Sequence, residues 1–187
     1  MVKFVFFDVG GVVIQDFTGR NYGEEFASRI KLGKYGNLYT FWNEFLKISS
    51  FKFPKLYKKF IEWKVKRLGE NEFIWPVINQ IHKTSKVGLL TNMYVNLFGE
   101  IKNSELFSDV NWDVIVDSSK VGIEKPNPRI YKIAEEMSGF KGGEILFIDN
   151  TNQNIDAAIK FGWNGFLYNP KNCETSSQDL LNYFESL

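Results

Sequence analysis

Phe4-Val5-Phe6-Phe7-Asp8-Val9-Gly10-Gly11-Val12-Val13 is the stretch on which the reading of this chain turns. Phe4 to Phe7 form a continuous apolar run, the mark of a strand buried on both faces in a parallel sheet. The run stops at a carboxylate, and two glycines follow. In an open α/β sheet the ligand crevice lies at the carboxyl ends of the strands, where Asp8 would sit. Gly10 and Gly11 let the chain turn tightly and bring its backbone against a ligand with no Cβ between them. An Asp that ends a strand before a turn is commonplace by itself, so its meaning depends on what else reaches the same edge.

Four more apolar runs follow. Lys86-Val87-Gly88-Leu89-Leu90-Thr91-Asn92 ends in small polar residues, and Trp112-Asp113-Val114-Ile115-Val116-Asp117 ends at Ser118-Ser119. Glu144-Ile145-Leu146-Phe147-Ile148-Asp149 ends in a carboxylate like the first, and Gly165-Phe166-Leu167-Tyr168 is the fifth. Between them lie amphipathic segments: Val77–Lys83 behind Pro76, a start near Leu97, Asn127–Met137 before Gly139, and Asn154–Phe161 before Gly162. Residues from Ser176 to Leu187 read as a closing helix capped by Ser176 or Ser177. Strands alternating with helices give an α/β fold: a Rossmann-like parallel sheet with right-handed crossovers and helices on both faces. All strand ends of such a sheet share one edge, so Asp8, Thr91 and Asp149 converge there. Ser118 and Ser119 reach the same edge, as turn residues or as substrate contacts.

From about residue 15 to 75 the pattern changes, with no good strand candidate. Leu38, Phe41, Trp42, Phe45 and Ile48 recur at helical spacing, as do Leu56, Tyr57, Phe60, Ile61 and Leu68. Pro54 suits a helix start and Gly69 a helix end. This predicts an insertion of three or four helices whose many rings, Trp42 and Trp63 among them, form its own core; Trp75 is expected to be core as well. The domains expected are an α/β core over 1–14 and 76–187 and a helical cap over 15–75.

The 187 residues carry 23 basic and 22 acidic side chains, a net charge of +1, which gives no electrostatic case for nucleic acid or an anionic membrane. The first apolar run is too short to span a bilayer or form a signal-peptide core, and a cytoplasmic protein is expected. Cys173 is the one cysteine and reads as an inert loop thiol, so neither an internal disulfide nor a multi-cysteine zinc site is available. His82, the one histidine, falls on a helix away from the strand ends. Monomer and homodimer remain open.

A strand-end Asp can attack phosphorus and split one displacement into two easier ones through an aspartyl-phosphate. The oxygens of the transferred group then need fixed cations and donors around them. Asp8 and Asp149 could share one Mg²⁺, with the backbone carbonyl of Gly10 as a further ligand. Thr91 and the backbone N–H of Asn92 could hold phosphoryl oxygens, and Gly11 allows close approach. Lys125, in Gly122-Ile123-Glu124-Lys125-Pro126-Asn127-Pro128, is presented on a loop stiffened by prolines and completes the charge balance.

Taken together these stretches resemble the haloacid dehalogenase-like (HAD) hydrolases. Phe7 to Val13 is similar to that family's first motif, Leu89 to Asn92 to the second, Val121 to Tyr131 to the third and Ile145 to Ala158 to the fourth. The resemblance implies that Asp8 is the nucleophile, that 15–75 is the small helical cap, and that the partner is a small phosphorylated molecule hydrolysed with Mg²⁺. Two residues depart from the usual phosphatase. Gly10 stands where a second Asp protonates the leaving oxygen; glycine is usual there in a branch that includes glucose-1-phosphatase-like proteins. Asn150 stands where many relatives have an Asp that serves the metal. Asp16 is the nearest other acid in the first segment, and spacing alone does not place it at the site. The readings that compete with a phosphatase are a metal-independent dehalogenase and a non-catalytic binding or scaffold protein with a degraded site.

Overall fold

A computed structural model describes residues 1–16, 38–107 and 110–187, with side chains for all of these except 38–44. Its centre is a five-stranded, fully parallel sheet. The strands are β1 (Phe4–Phe7), β4 (Lys86–Thr91), β5 (Val114–Asp117), β6 (Ile145–Asp149) and β7 (Asn164–Leu167), in the order β5-β4-β1-β6-β7. β1 is central, paired with β4 on one side and β6 on the other, so Phe7 lies level with Leu89 and Ile148. Asp8 is therefore the first residue beyond the middle of the sheet.

Alternation along β1 builds two cores. Val5 and Phe7 pack with Val87, Leu89, Leu146 and Ile148 on one face. Phe4 and Phe6 pack with Leu90, Val116, Ile145 and Phe147 on the other. The first face is covered by α3 (Ile74–Ile81) and α8 (Cys173–Glu185), which also pack on one another. The second is covered by α6 (Pro128–Ser138) and α7 (Asn152–Lys160), with Trp163 stacked on Phe6. The five sequence-expected strands and the helices between them are all present. No helix among the described residues is long and apolar enough to cross a membrane.

The region from 15 to 75 differs from expectation in part. It holds the helices α1 (Leu38–Lys52) and α2 (Pro54–Val65), and Pro54 does begin a helix. Residues 17–37, where further helices were expected, lie outside the described residues. Two strands appear where none was expected: β2 (Ile14–Asp16) runs antiparallel to β3 (Leu68–Glu70), with Gln15 opposite Gly69. Gly69 is thus a strand residue, and α2 stops earlier, at Val65. Three residues are too few to show a period-two pattern. The apolar periodicity located part of the inward face: Tyr57 and Ile61 are buried and Phe60 packs against the core, as expected. Phe45, Ile48, Leu56 and Trp63 are exposed, while α2 turns Tyr57, Ile61 and Lys64 inward. Trp75 is core, as expected; the side chain of Trp42 is outside the described ones.

Two terminal details also change. The closing helix α8 begins at Cys173 rather than at Ser176, so Cys173 is helical and not in a loop. Ser176 and Ser177 lie buried within the helix: one hydroxyl accepts from the Asn169 N–H at 2.9 Å, the other pairs with the Tyr168 hydroxyl at 2.8 Å. Those bonds dock the helix on the end of β7 instead of capping it. Helix α3 begins at Ile74, with Pro76 inside its first turn.

Candidate active site

The backbone beyond β1 folds back on itself within six residues. The Asp8 N–H extends the ladder to Ile148 O at 2.8 Å. Val9 O then accepts from both Val12 and Ile14, and Gly11 N–H donates to Ile14 O at 2.7 Å. Gly11 has φ +83°, and a Cβ there would collide with the Asn150 side chain. Glycine is required on both counts. Gly10 is different: its φ is ordinary, and a Cβ there meets nothing within 4 Å.

Lys125 is the hub of the site. Its Nζ lies 2.7 Å from Asp149 Oδ2, 3.0 Å from Asp8 Oδ1 and 2.8 Å from Leu90 O, with the Phe147 ring 5.1 Å away. Ends of β1, β4 and β6 thus meet on one ammonium. The loop carrying Lys125 is clamped by Asn92, whose Nδ2 donates to Lys125 O at 3.0 Å and whose Oδ1 accepts from Lys125 N at 2.8 Å. Asp149 is fully buried. Its Oδ1 accepts from Thr151 N–H at 2.7 Å, and its Oδ2 also accepts from Asn154 Nδ2 at 3.0 Å. Burial pushes the Asp149 carboxyl up to about 6, with the Asp8 charge adding to the rise and Lys125 opposing it. For Lys125 burial acts downward, but the charges of Asp149 and Asp8 outweigh it and hold the ammonium above its ordinary range. Behind the cluster the Tyr131 hydroxyl donates to Asn154 O at 2.8 Å, its phenol raised by burial and by the two carboxylates.

A cavity of about 60 Å³ opens beside this cluster. Asp8, Gly10, Asn92, Lys125, Asn150 and Asn154 line it from the core. Thr91 and Asp149 do not line it, although both end strands at its edge. The Thr91 hydroxyl is buried and has no hydrogen-bond partner among the described residues. Ser118 and Ser119 open a short helix, α5 (Ser118–Val121); the Ser118 hydroxyl accepts from Met93 N–H, and both serines border a second cavity of about 420 Å³. His82 sits at the far end of α3, 3.4 Å from Asp113.

Sequence reasoning did not place two of the lining residues. Asp16 and Lys64 also line the cavity, brought there by β2 and α2, and form a buried ion pair at 2.7 Å. Ile14 and Asp16 share one face of β2 by alternation, and both line the cavity, while Gln15 contacts Cys173 Sγ on the other face. The signal for Lys64 was its phase on α2, in register with Tyr57 and Ile61.

The donors facing the cavity suit Mg²⁺. That ion takes oxygen ligands, one or two carboxylates with waters and substrate phosphate. Asp8 offers a carboxylate, Gly10 a backbone carbonyl and Asn150 an amide oxygen. Among the described residues no three His, Cys, Asp or Glu side chains gather tightly enough to hold a metal by themselves. Such a set suits a hard, partly hydrated ion shared with substrate rather than a fully caged one.

A family model described as haloacid dehalogenase-like hydrolase matches residues 2–162. Among solved structures, a HAD family enzyme from Bacteroides thetaiotaomicron superposes with a TM-score of 0.68 at 18% identity, covering 90% of this chain and 94% of that one. Its complex with magnesium and inorganic phosphate gives 0.68 at 17%, covering 91% and 96%. L-2-haloacid dehalogenase from Xanthobacter autotrophicus gives 0.63 at 18%, covering 90% and 78%. At these identities the likeness establishes the fold. Among curated relatives, (S)-2-haloacid dehalogenase of Pseudomonas fluorescens is 31% identical over 80 residues, 41% of this chain and 34% of that one. Acyl-CoA dehydrogenase family member 10 of Mus musculus is 30% identical over 92 residues, 47% of this chain and 8% of that one. The chain therefore spans about a third of the length of the first and under a tenth of the second.

Proposed function

The chain belongs to the haloacid dehalogenase-like hydrolases, and we propose that it is a Mg²⁺-dependent phosphatase of small phosphomonoesters acting through an aspartyl-phosphate on Asp8. The observation that carries this reading is the charge arrangement at the strand ends. Lys125 bridges Asp8 and Asp149, so the three side chains sum to a single negative charge. A phosphomonoester dianion cannot enter such a site without a further cation, and Asp8, the Gly10 carbonyl and Asn150 offer oxygen ligands for one. Mg²⁺ held by those ligands would supply positive charge against the phosphoryl oxygens.

The chain's own residues do the rest. Asp8 attacks phosphorus, held in line by its bond to Lys125. Asp149 fixes Lys125 from behind, with both of its oxygens engaged. Lys125 and the backbone N–H of Asn92, both at the cavity, receive phosphoryl oxygens; the Gly11 N–H is spent on Ile14 O and the Thr91 hydroxyl lies behind the lining. Asn150 would offer the metal a neutral amide oxygen, a weaker ligand than the carboxylate of an Asp. The glycine at position 10 supports a place in the glucose-1-phosphatase-like branch. The magnesium and phosphate complex of the Bacteroides enzyme supports the same reading.

One observation favours a second reading. Asp8 is the only carboxylate of the strand-end cluster that faces the cavity, and the Pseudomonas relative is a dehalogenase. A metal-free displacement at carbon by Asp8 needs no second acid. A panel of phosphomonoesters with Mg²⁺, repeated in EDTA and with Asp8→Asn, separates the two. Phosphate release abolished by both treatments supports the phosphatase. Halide release from 2-haloacids that persists in EDTA supports the dehalogenase.

A further inference from the structure

The proposed phosphatase lacks a group at Gly10 to protonate the leaving oxygen, yet the cavity that Asp8 lines also carries a buried charged pair from β2 and α2. Lys64 and Asp16 side chains are 5% and 6% exposed and 2.7 Å apart. Burying an ion pair is costly, and replacing one by well-packed apolar residues is often neutral or stabilising. Lys64 also interrupts the inward stripe of α2, where Tyr57 and Ile61 are otherwise apolar packing. That helix is anchored to the core by the Tyr57 hydroxyl, which donates to Val95 O at 2.9 Å. Stability alone gives no reason for a lysine at this position, whereas a proton donor facing a scissile bond has to be held there rigidly.

We propose that Lys64, oriented by Asp16, is the proton donor to the leaving-group oxygen, supplying from α2 what Gly10 omits. The proposal rests on the phosphatase reading. As the Asp8 oxygen–phosphorus bond forms and the phosphorus–leaving-oxygen bond breaks, a proton passes from Lys64 Nζ to the departing oxygen, giving a free alcohol and a neutral amine. Water then attacks the aspartyl-phosphate. Its proton passes to the amine, restoring the ammonium and releasing inorganic phosphate and the Asp8 carboxylate. Asp16 is the acceptor that orients the ammonium throughout. It does not itself donate, because it receives the Lys64 N–H as a carboxylate.

The test compares kcat for an alkyl and an aryl phosphate with Mg²⁺. An alkoxide needs a proton as it leaves, and a good aryl leaving group does not. Lys64→Arg keeps the cation and the ion pair but cannot give up a proton at working pH. It is expected to lower alkyl phosphate turnover by about 10²–10⁴-fold, the usual worth of a positioned acid, and aryl turnover far less. Lys64→Met combined with Asp16→Asn, which removes both charges of the pair, should show the same selectivity. Placing an acid at position 10 by Gly10→Asp should restore alkyl turnover to Lys64→Arg. An unchanged alkyl-to-aryl ratio in both Lys64 variants overturns the assignment of Lys64 while leaving the phosphatase intact. Wild-type protein that turns over neither ester class overturns the phosphatase and this proposal with it.

Discussion

Removing Lys125 should destabilise the protein heavily, and in a pH-dependent way. Lys125 and Asp149 side chains are 1% and 0% exposed and 2.7 Å apart, with Asp8 on the other side of the ammonium at 3.0 Å. Lys125→Met leaves the Asp149 charge buried and uncompensated, which costs about 3–5 kcal/mol. For a chain of this length that lowers Tm by roughly 6–20 °C. The sign of the pH dependence follows from Asp149. Its carboxyl is raised from 3.8 to about 6 in the folded state, and losing the cation raises it further. A raised carboxyl binds its proton more tightly when folded, so its stabilising effect is present at low pH and lost as pH rises through the folded value. The deficit of Lys125→Met should therefore be full at about pH 8 and shrink toward about pH 5, where the lone acid is neutral. Urea unfolding of EDTA-treated protein at the two pH values measures it. Adding Asp149→Asn removes the orphaned charge and should recover most of the stability without recovering activity. A loss under about 1 kcal/mol that is flat with pH would mean that the pair behaves as a solvated surface pair, and the burial argument fails.

Asp8→Asn should abolish turnover while leaving the fold intact, since Asp8 keeps its backbone bond to Ile148; circular dichroism with a phosphate-release assay checks both. The ¹³C carboxyl resonance of Asp149, followed in metal-free protein, should titrate near 6 rather than near 3.8. Gly11→Ala should cost about 1 kcal/mol or more, because a φ of +83° is strained for alanine and the new methyl meets Asn150; thermal unfolding reads it directly. Gly10→Asp meets no such obstacle and should leave the fold intact while changing alkyl phosphate turnover in the wild-type background by less than about tenfold, because Lys64 already supplies the proton; thermal unfolding and kcat read the two.

The strand-end chemistry was legible because a buried parallel strand declares itself as an apolar run and stops where its first polar residue stands. That rule located Asp8, Thr91 and Asp149, and the sheet order then brought Asp8 and Asp149 to one ammonium. It could not say which strand-end side chains face the cavity. Asp149 ends its strand as Asp8 does, but Thr151, Asn154 and Lys125 hold it behind the cavity wall. At the end of β4 the expected phosphate donor was the backbone N–H of Asn92, and its side chain is occupied with both backbone groups of Lys125, shaping the loop rather than meeting a ligand. The contribution of β2 and α2 was illegible for a different reason. β2 is three residues long, too short for alternation to register, and its pairing with β3 spans a long insertion. On α2 apolar periodicity finds Tyr57 and Ile61 but also the exposed Leu56, and it passes over Lys64, because a lysine carries no apolar signal.

The two departures from an ordinary phosphatase site are physically one problem seen from two sides. An Asp at position 10 and another at 150 would add two negative charges beside Asp8 and Asp149, which share the single cation Lys125. Such a cluster requires a tightly held metal to exist at neutral pH. With Gly10 and Asn150 in their place, the core wall carries one net negative charge and tolerates the absence of metal. The acid–base duty is then freed from the metal's ligands. With Lys64 as the proton donor, that duty falls to Lys64 and Asp16, which line the same cavity as an ion pair and are not among the groups that would ligate the metal. On this arrangement metal affinity and leaving-group chemistry are separable: Asn150→Asp should tighten Mg²⁺ binding, measured by calorimetry, with the alkyl-to-aryl ratio unmoved. A ratio that moves together with metal affinity would place both functions on one set of groups and contradict the division.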